Sequence, residues 1–252
     1  MHEIFLTAET IFRLGEFPVT NTLLVSVMAA VLLIGGGLFL KSRLALNPGG
    51  MQGFVELVYG AMIGLMDSVL GERSKSEKYL PFVATIFIFI LVSNWLGILP
   101  GVGSFGFFEE DHGHYLFTPL FRSPASDLNF TLALAVLTGI VVNVFAVAAI
   151  GVRAHLGKFF NLSGPIQFFI GILELISEIA RMISFAFRLF GNVFAGEVLL
   201  VVIAFLVPYI APVPFFLLEI FVGFIQAFVF AMLALVFIAI ATVEHESAHE
   251  HA

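Results

Sequence analysis

Four stretches of this chain, Val19–Leu40, Tyr79–Leu99, Leu128–Ile150 and Pro214–Val243, each run for more than twenty residues, and the only charged side chain in any of them is Glu219. An α-helix rises about 1.5 Å per residue, so about 20 apolar residues suffice to cross the roughly 30 Å of hydrocarbon in a bilayer. The rest of the composition agrees. Hydrophobic residues make up 60% of the 252 positions and charged residues 12%, against about 25% charged in ordinary soluble domains. A soluble chain of this length has too little interior to hide that much apolar surface, 31 Phe included. Lipid is the solvent that fits, and the expected fold class is an all-α membrane protein forming one integral membrane domain over residues 1–252.

Several functions are excluded early. A net charge of −7 and the lack of any run of five basic residues argue against nucleic acid. With no Cys, disulfides and thiolate chemistry are ruled out. No P-loop is present, and neither a metal nor another cofactor is called for. Glu244, His245, Glu246, His249, Glu250 and His251 at the end are read as a solvated tail rather than a metal site. The stretch before Val19 carries Glu3, Glu9, Glu16 and Arg13, unlike the basic start of a cleaved signal peptide, so the first apolar run is expected to stay in the protein.

Two further segments are less regular. Met51–Leu70 is apolar but interrupted by Glu56 and Asp67, which suggests a helix lying in the membrane interface. Pro165–Val207 covers 43 residues with no internal Pro. It is either two short passes broken at Gly191-Asn192 or one steeply tilted helix, and pattern alone leaves both open. Basic residues set the orientation, because Lys and Arg concentrate on the cytoplasmic side. Lys41, Arg43, Arg73, Lys75, Lys78, Arg153 and Lys158 fall in one set of connections, and only Arg13 and Arg122 in the other. Seven against two predicts an outside N-terminus and an inside C-terminus.

Ionisable groups inside a membrane are costly and point to function. The long segment holds Glu174, Glu178, Arg181, Arg188 and Glu197. At about 100° per residue, Glu174, Arg181, Ser177, Ser184 and Asn192 lie within about 40° of Arg188, and Glu178 about 80° away. Glu197 falls on the opposite face, roughly 13 Å further along. Glu174, Glu178 and Arg181 can equally be an interfacial ion-pair cluster. In the last apolar run Glu219 and Gln226 are two turns apart and share a face, although Gln226 also suits simple interhelical bonding. No Lys or Arg lies nearby to pair with Glu197 or Glu219, so both are expected to stand unpaired, as groups that take up and release protons. Asn94, near the end of its run, reads as a cap or packing residue.

The residues from Arg188 onward, Arg-Leu-Phe-Gly-Asn-Val-Phe-Ala-Gly-Glu to Glu197, closely resemble the arginine motif of the a subunit of the F-type ATP synthase. Asn94-Trp95-Leu96-Gly97-Ile98-Leu99-Pro100 and Ser126-Asp127-Leu128-Asn129 are similar to two further motifs of that family, the latter with serine in place of alanine. The resemblance covers essentially the whole chain. It implies three roughly perpendicular spans, an interfacial helix, and a C-terminal hairpin of two long tilted helices against a ring of c subunits. Arg188 would face the ring's carboxylates. Glu197, Glu219 and Gln226 would line the outer half-channel, with Asp127 at its mouth, and Ser184, Asn192 and Glu174 the inner one. In some relatives the Glu197/Glu219 pair is a carboxyl with a histidine; here both are carboxyls. Further implied partners are b-type peripheral stalk subunits and a soluble ATPase that does the nucleotide chemistry, so the chain itself is no enzyme. The implied location is a bacterial plasma membrane or an organelle's inner membrane. The rival reading is a self-contained ion channel or secondary transporter, which predicts an internal repeat and broken helices; neither pattern is evident in the sequence.

Overall fold

A computed structural model describes residues 8–47, 49–99, 105–111, 114–159 and 164–243. The Pro100-Gly101 pair and the His/Glu tail lie outside the described residues. Within them the chain forms seven helices: α1 (Asn21–Ser42), α2 (Gly50–Leu70), α3 (Arg73–Ile98), α4 (Leu128–Ile150), α5 (Val152–Phe159), α6 (Pro165–Leu206) and α7 (Pro212–Val243). All but α5 are long and apolar enough to cross a membrane.

Two antiparallel hairpins, which hydropathy did not suggest, accompany the helices: β1 (Thr10–Leu14) with β2 (Phe17–Thr20), and β3 (Gly106–Asp111) with β4 (His114–Pro119). The sequence reading also missed α5, whose short polar turns carry no long apolar period, and began α3 six residues late. Charged pairs explain that earlier start. Arg73 bonds Asp67 at 2.8 Å and, one turn on, Glu77 at 3.2 Å, while Lys75 reaches Glu72 at 3.4 Å. These pairs sit at the corner between α2 and α3. The Ser74 hydroxyl and Lys75 hold the Glu72 carboxyl below its usual range.

The long segment is one helix. α6 runs for 42 residues through Gly191 and Asn192 without a break, about 63 Å at 1.5 Å per residue. Pro165 occupies its first turn, where the missing N–H would have had no partner. Asp127 caps α4 by accepting from the Asn129 N–H at 2.9 Å, and Thr20 caps α1 by accepting from Leu23.

The main contacts are α3 on α7 and α4 on α6. Most of the buried residues of α6, Phe185, Ala186, Leu189 and Val193, cluster about its middle, and they meet Ala227, Phe230 and Ala231 of α7. Lipid tails are as apolar as leucine, so these helices associate through close fit rather than exclusion from water. Phe185 lies 5.2 Å from the ring of Phe230 and 5.3 Å from that of Phe237, and such pairs contribute about 0.5–1.5 kcal/mol each. The middle of α6 is therefore firmly seated, and its two ends present different chemistry.

Candidate proton-path site

Towards the C-terminal end of α6, three charged groups converge. Glu197 is not unpaired, as the sequence suggested: Arg122, 75 positions earlier, reaches it with Nε 3.1 Å from Oε1 and 3.3 Å from Oε2. Arg122 is only 6% exposed, against 33% for Glu197. It escaped the sequence reading because it lies in a connection rather than a span, and nothing local marks it as turned inward. Glu219, on α7, is also 6% exposed. It has no hydrogen bond or ion pair among the described residues, and it lies within electrostatic reach of Glu197. Its carboxyl rests directly on Gly196, where a Cβ would come within 2.4 Å of both oxygens. The glycine of the Ala-Gly-Glu sequence is thus the floor on which Glu219 sits.

α3 fixes the height of this part of α7. Asn94 Nδ2 donates to the Gly223 carbonyl at 3.1 Å and Trp95 Nε1 to the Ile220 carbonyl at 3.1 Å. Asn94 is accordingly a packing residue that joins two helices. A side chain at position 223 would press to 3.2 Å from the Asn94 Cβ. Asp127 is fully engaged as well: one oxygen accepts from Thr22 at 3.0 Å, the other from the backbone and side chain of Asn129. It ties α1 to the start of α4.

Arg188 lies midway along α6, exposed, with no hydrogen bond or ion pair among the described residues. Phe185 and Leu189 from α6, with Gln226, Val229, Phe230 and Leu233 from α7, line a small cleft with it. The structure therefore brings Gln226 beside Arg188, two turns from Glu219. Ser184 and Asn192 are exposed on α6 to either side.

Near the N-terminal end of α6, Glu174 is exposed and Arg181 approaches it at 4.0 Å. The Arg181 guanidinium also covers the ring of Phe237, 4.3 Å from its centre. Glu178 is held differently. Asn143 of α4 donates from Nδ2 to Glu178 Oε1 and to the Gly139 carbonyl, and its Oδ1 lies 2.7 Å from Nε2 of His155 on α5. Because both neighbours of Nδ2 are acceptors, the amide orientation is fixed and His155 Nε2 must donate. Sequence reasoning missed Asn143 and His155, which belong to an apolar run and a short connection.

An arginine without an ion pair among the described residues thus sits midway along α6, between two groups of acidic residues on one unbroken helix. The family model described as ATP synthase A chain matches residues 23–239. The chain is 32% identical over 229 residues to ATP synthase subunit a of Moorella thermoacetica, covering 91% of this chain and 94% of the relative. It is 36% identical over 238 residues to ATP synthase subunit a 2 of Syntrophotalea carbinolica, covering 92% and 89%. To ATP synthase subunit a of Mycobacterium ulcerans it is 35% identical over 235 residues, covering 91% and 90%. Matched over nearly its whole length and carrying the charged constellation on α6 and α7, the chain belongs to the ATP synthase A chain family.

Proposed function

We infer that this chain is the proton-conducting subunit of an F-type ATP synthase, a multi-pass protein of a bacterial plasma membrane that moves protons and performs no nucleotide chemistry itself. The observation that carries the reading is Arg188: charged at any accessible pH, without an ion pair among the described residues, and midway along an unbroken helix of spanning character. A guanidinium there is a poor proton carrier and a strong electrostatic barrier, since Coulomb terms in low dielectric reach several kcal/mol or more.

In finer detail, residues 1–252 form one membrane domain in which α1, α3 and α4 cross roughly perpendicular to the bilayer and α2 lies at its interface. α6 and α7 form the tilted hairpin, with the N-terminus outside and the C-terminus inside. Protons enter past Glu197 and Glu219, with Asp127 at the mouth and Gln226 further in, and neutralise a carboxylate on a ring of c subunits. After most of a ring turn they leave near Asn192, Ser184 and Glu174. Arg188 draws each arriving carboxylate into its ionised form and blocks direct passage between the two paths. The remaining partners are the peripheral stalk and the soluble ATPase. The full occupation of Asp127 by Thr22 and Asn129 supports a tethering part for it alongside the mouth.

The test is purification followed by reconstitution. Small c subunits and a soluble ATPase should accompany this chain, and vesicles holding the complex should make ATP from an imposed proton gradient. A chain that purified alone and conducted ions unaided would be a self-contained channel or transporter instead. Single cysteines at Ser74 and at Gly103, the latter outside the described residues, should label from opposite sides; labelling of Ser74 from outside would reverse the two paths.

A further inference from the structure

Arg122 has no part in the proton path as described so far, yet it is among the most deeply buried charged side chains of the molecule. It leaves the connection ahead of α4, turns inward and places Nε against both carboxylate oxygens of Glu197. We propose that Arg122 is a positioning residue for proton entry: its guanidinium neutralises Glu197 and leaves Glu219 as the one carboxyl of the pair that takes up and gives back the transported proton. The proposal rests on the reading that Glu197 and Glu219 line the entry path.

The geometry separates two groups of identical chemistry. Two nearby carboxyls in equivalent surroundings titrate as a pair, sharing protons between them. Here the surroundings differ. Glu197 has a fixed positive charge at hydrogen-bond distance. Glu219 is buried on Gly196, with no hydrogen bond or ion pair among the described residues. Between Arg122 and the start of α4, the charged residue is Asp127, whose oxygens are taken by Thr22 and Asn129. The nearby part of α3 offers only the uncharged Asn94 and Trp95, both bonded to α7. The contact of Arg122 with Glu197 therefore removes the symmetry of the two carboxyls, and Arg122 makes further contact besides that one. Deleting one partner of a buried pair leaves the other charge uncompensated, and here the uncompensated charge would be felt at Glu219.

The experiment uses the whole complex in vesicles, with ATP synthesis measured against the pH of the entry side. Arg122→Gln should lower the rate and move the midpoint of that profile upward by about one pH unit, as a nearby unneutralised carboxylate favours the protonated form of its neighbour. Arg122→Lys, keeping the charge, should hold the midpoint at a reduced rate. The double variant Arg122→Gln/Glu197→Gln removes both charges and should bring the midpoint back towards the original. A midpoint unmoved in Arg122→Gln, or not restored in the double variant, would make Arg122 a strut and overturn the proposal. If Arg122→Gln fails to assemble, assembly of the double variant supports charge compensation, and failure of both overturns it. Normal synthesis by Glu219→Gln would instead refute the underlying entry path, a result distinct from any of these.

Discussion

The two ends of α6 carry similar residues in opposite states. At one end Glu197 is held by a buried arginine and Glu219 is enclosed against Gly196. At the other, Glu174 and Arg181 face each other at 4.0 Å with side chains 52% and 32% exposed. Enclosure makes individual identity matter: a buried charge has one partner and one geometry, whereas an exposed one can exchange its partner for water at little cost. The same residue types thus form a tuned site at one end and a forgiving one at the other, with Arg188 between them.

The contrast can be broken in order of expected effect. Arg188→Ala should reduce ATP synthesis and ATP-driven pumping by about a hundredfold or more, as expected for losing a preorganised charge, with the complex still assembled on gel filtration. Arg188→Lys should rescue poorly, since an ammonium is costlier to desolvate and can lose its proton. Vesicles of Arg188→Ala that kept a sizeable fraction of normal synthesis would refute the barrier role. Next, Glu219→Gln should slow proton-driven synthesis about a hundredfold without loss of assembly, while Glu219→His retains partial activity because imidazole also exchanges protons near neutrality. Gly196→Ala would drive the carboxyl off its floor, and a misplacement of that size should cost about tenfold.

Smaller effects belong to the other end. Asn143→Ala removes the amide that bridges Glu178 and His155, and should destabilise the subunit by about 1–2 kcal/mol, read as a lower melting temperature of the complex. Glu174→Gln should change stability by no more than about 0.5 kcal/mol and pumping by less than about twofold. If Glu174→Gln proved as damaging as Glu219→Gln, the division into an enclosed and an open end would not describe this protein.

The distribution of these residues explains what was legible in advance. Hydropathy located the long helices because a span needs a long apolar run, and charges inside such runs marked Arg188, Glu197 and Glu219. Local pattern left open whether Gly191 breaks α6; the buried cluster of Phe185, Leu189 and Val193 against α7 holds the helix together there. The pairing of Arg122 with Glu197 was invisible for a different reason. It joins positions 75 apart, and neither residue type nor spacing says which way a loop arginine turns. His155 and Asn143 likewise meet only when α5 folds back on α4. The hairpins lack any apolar face long enough to stand out beside five much stronger signals.

The bonds from Asn94 and Trp95 to the carbonyls of Gly223 and Ile220 have a consequence for how the molecule bears load. A helix that slips by one residue against its neighbour moves about 1.5 Å and turns about 100°. For α7 that single step would swing Glu219 away from Gly196 and out of its seat. Two donors on adjacent residues of α3, closing on α7 carbonyls three residues apart with no side chain at position 223 to hold them off, act as an indexing pin that fixes the register of α7 against α3. A site accurate to an ångström is useful only if the helices that carry it cannot creep past one another.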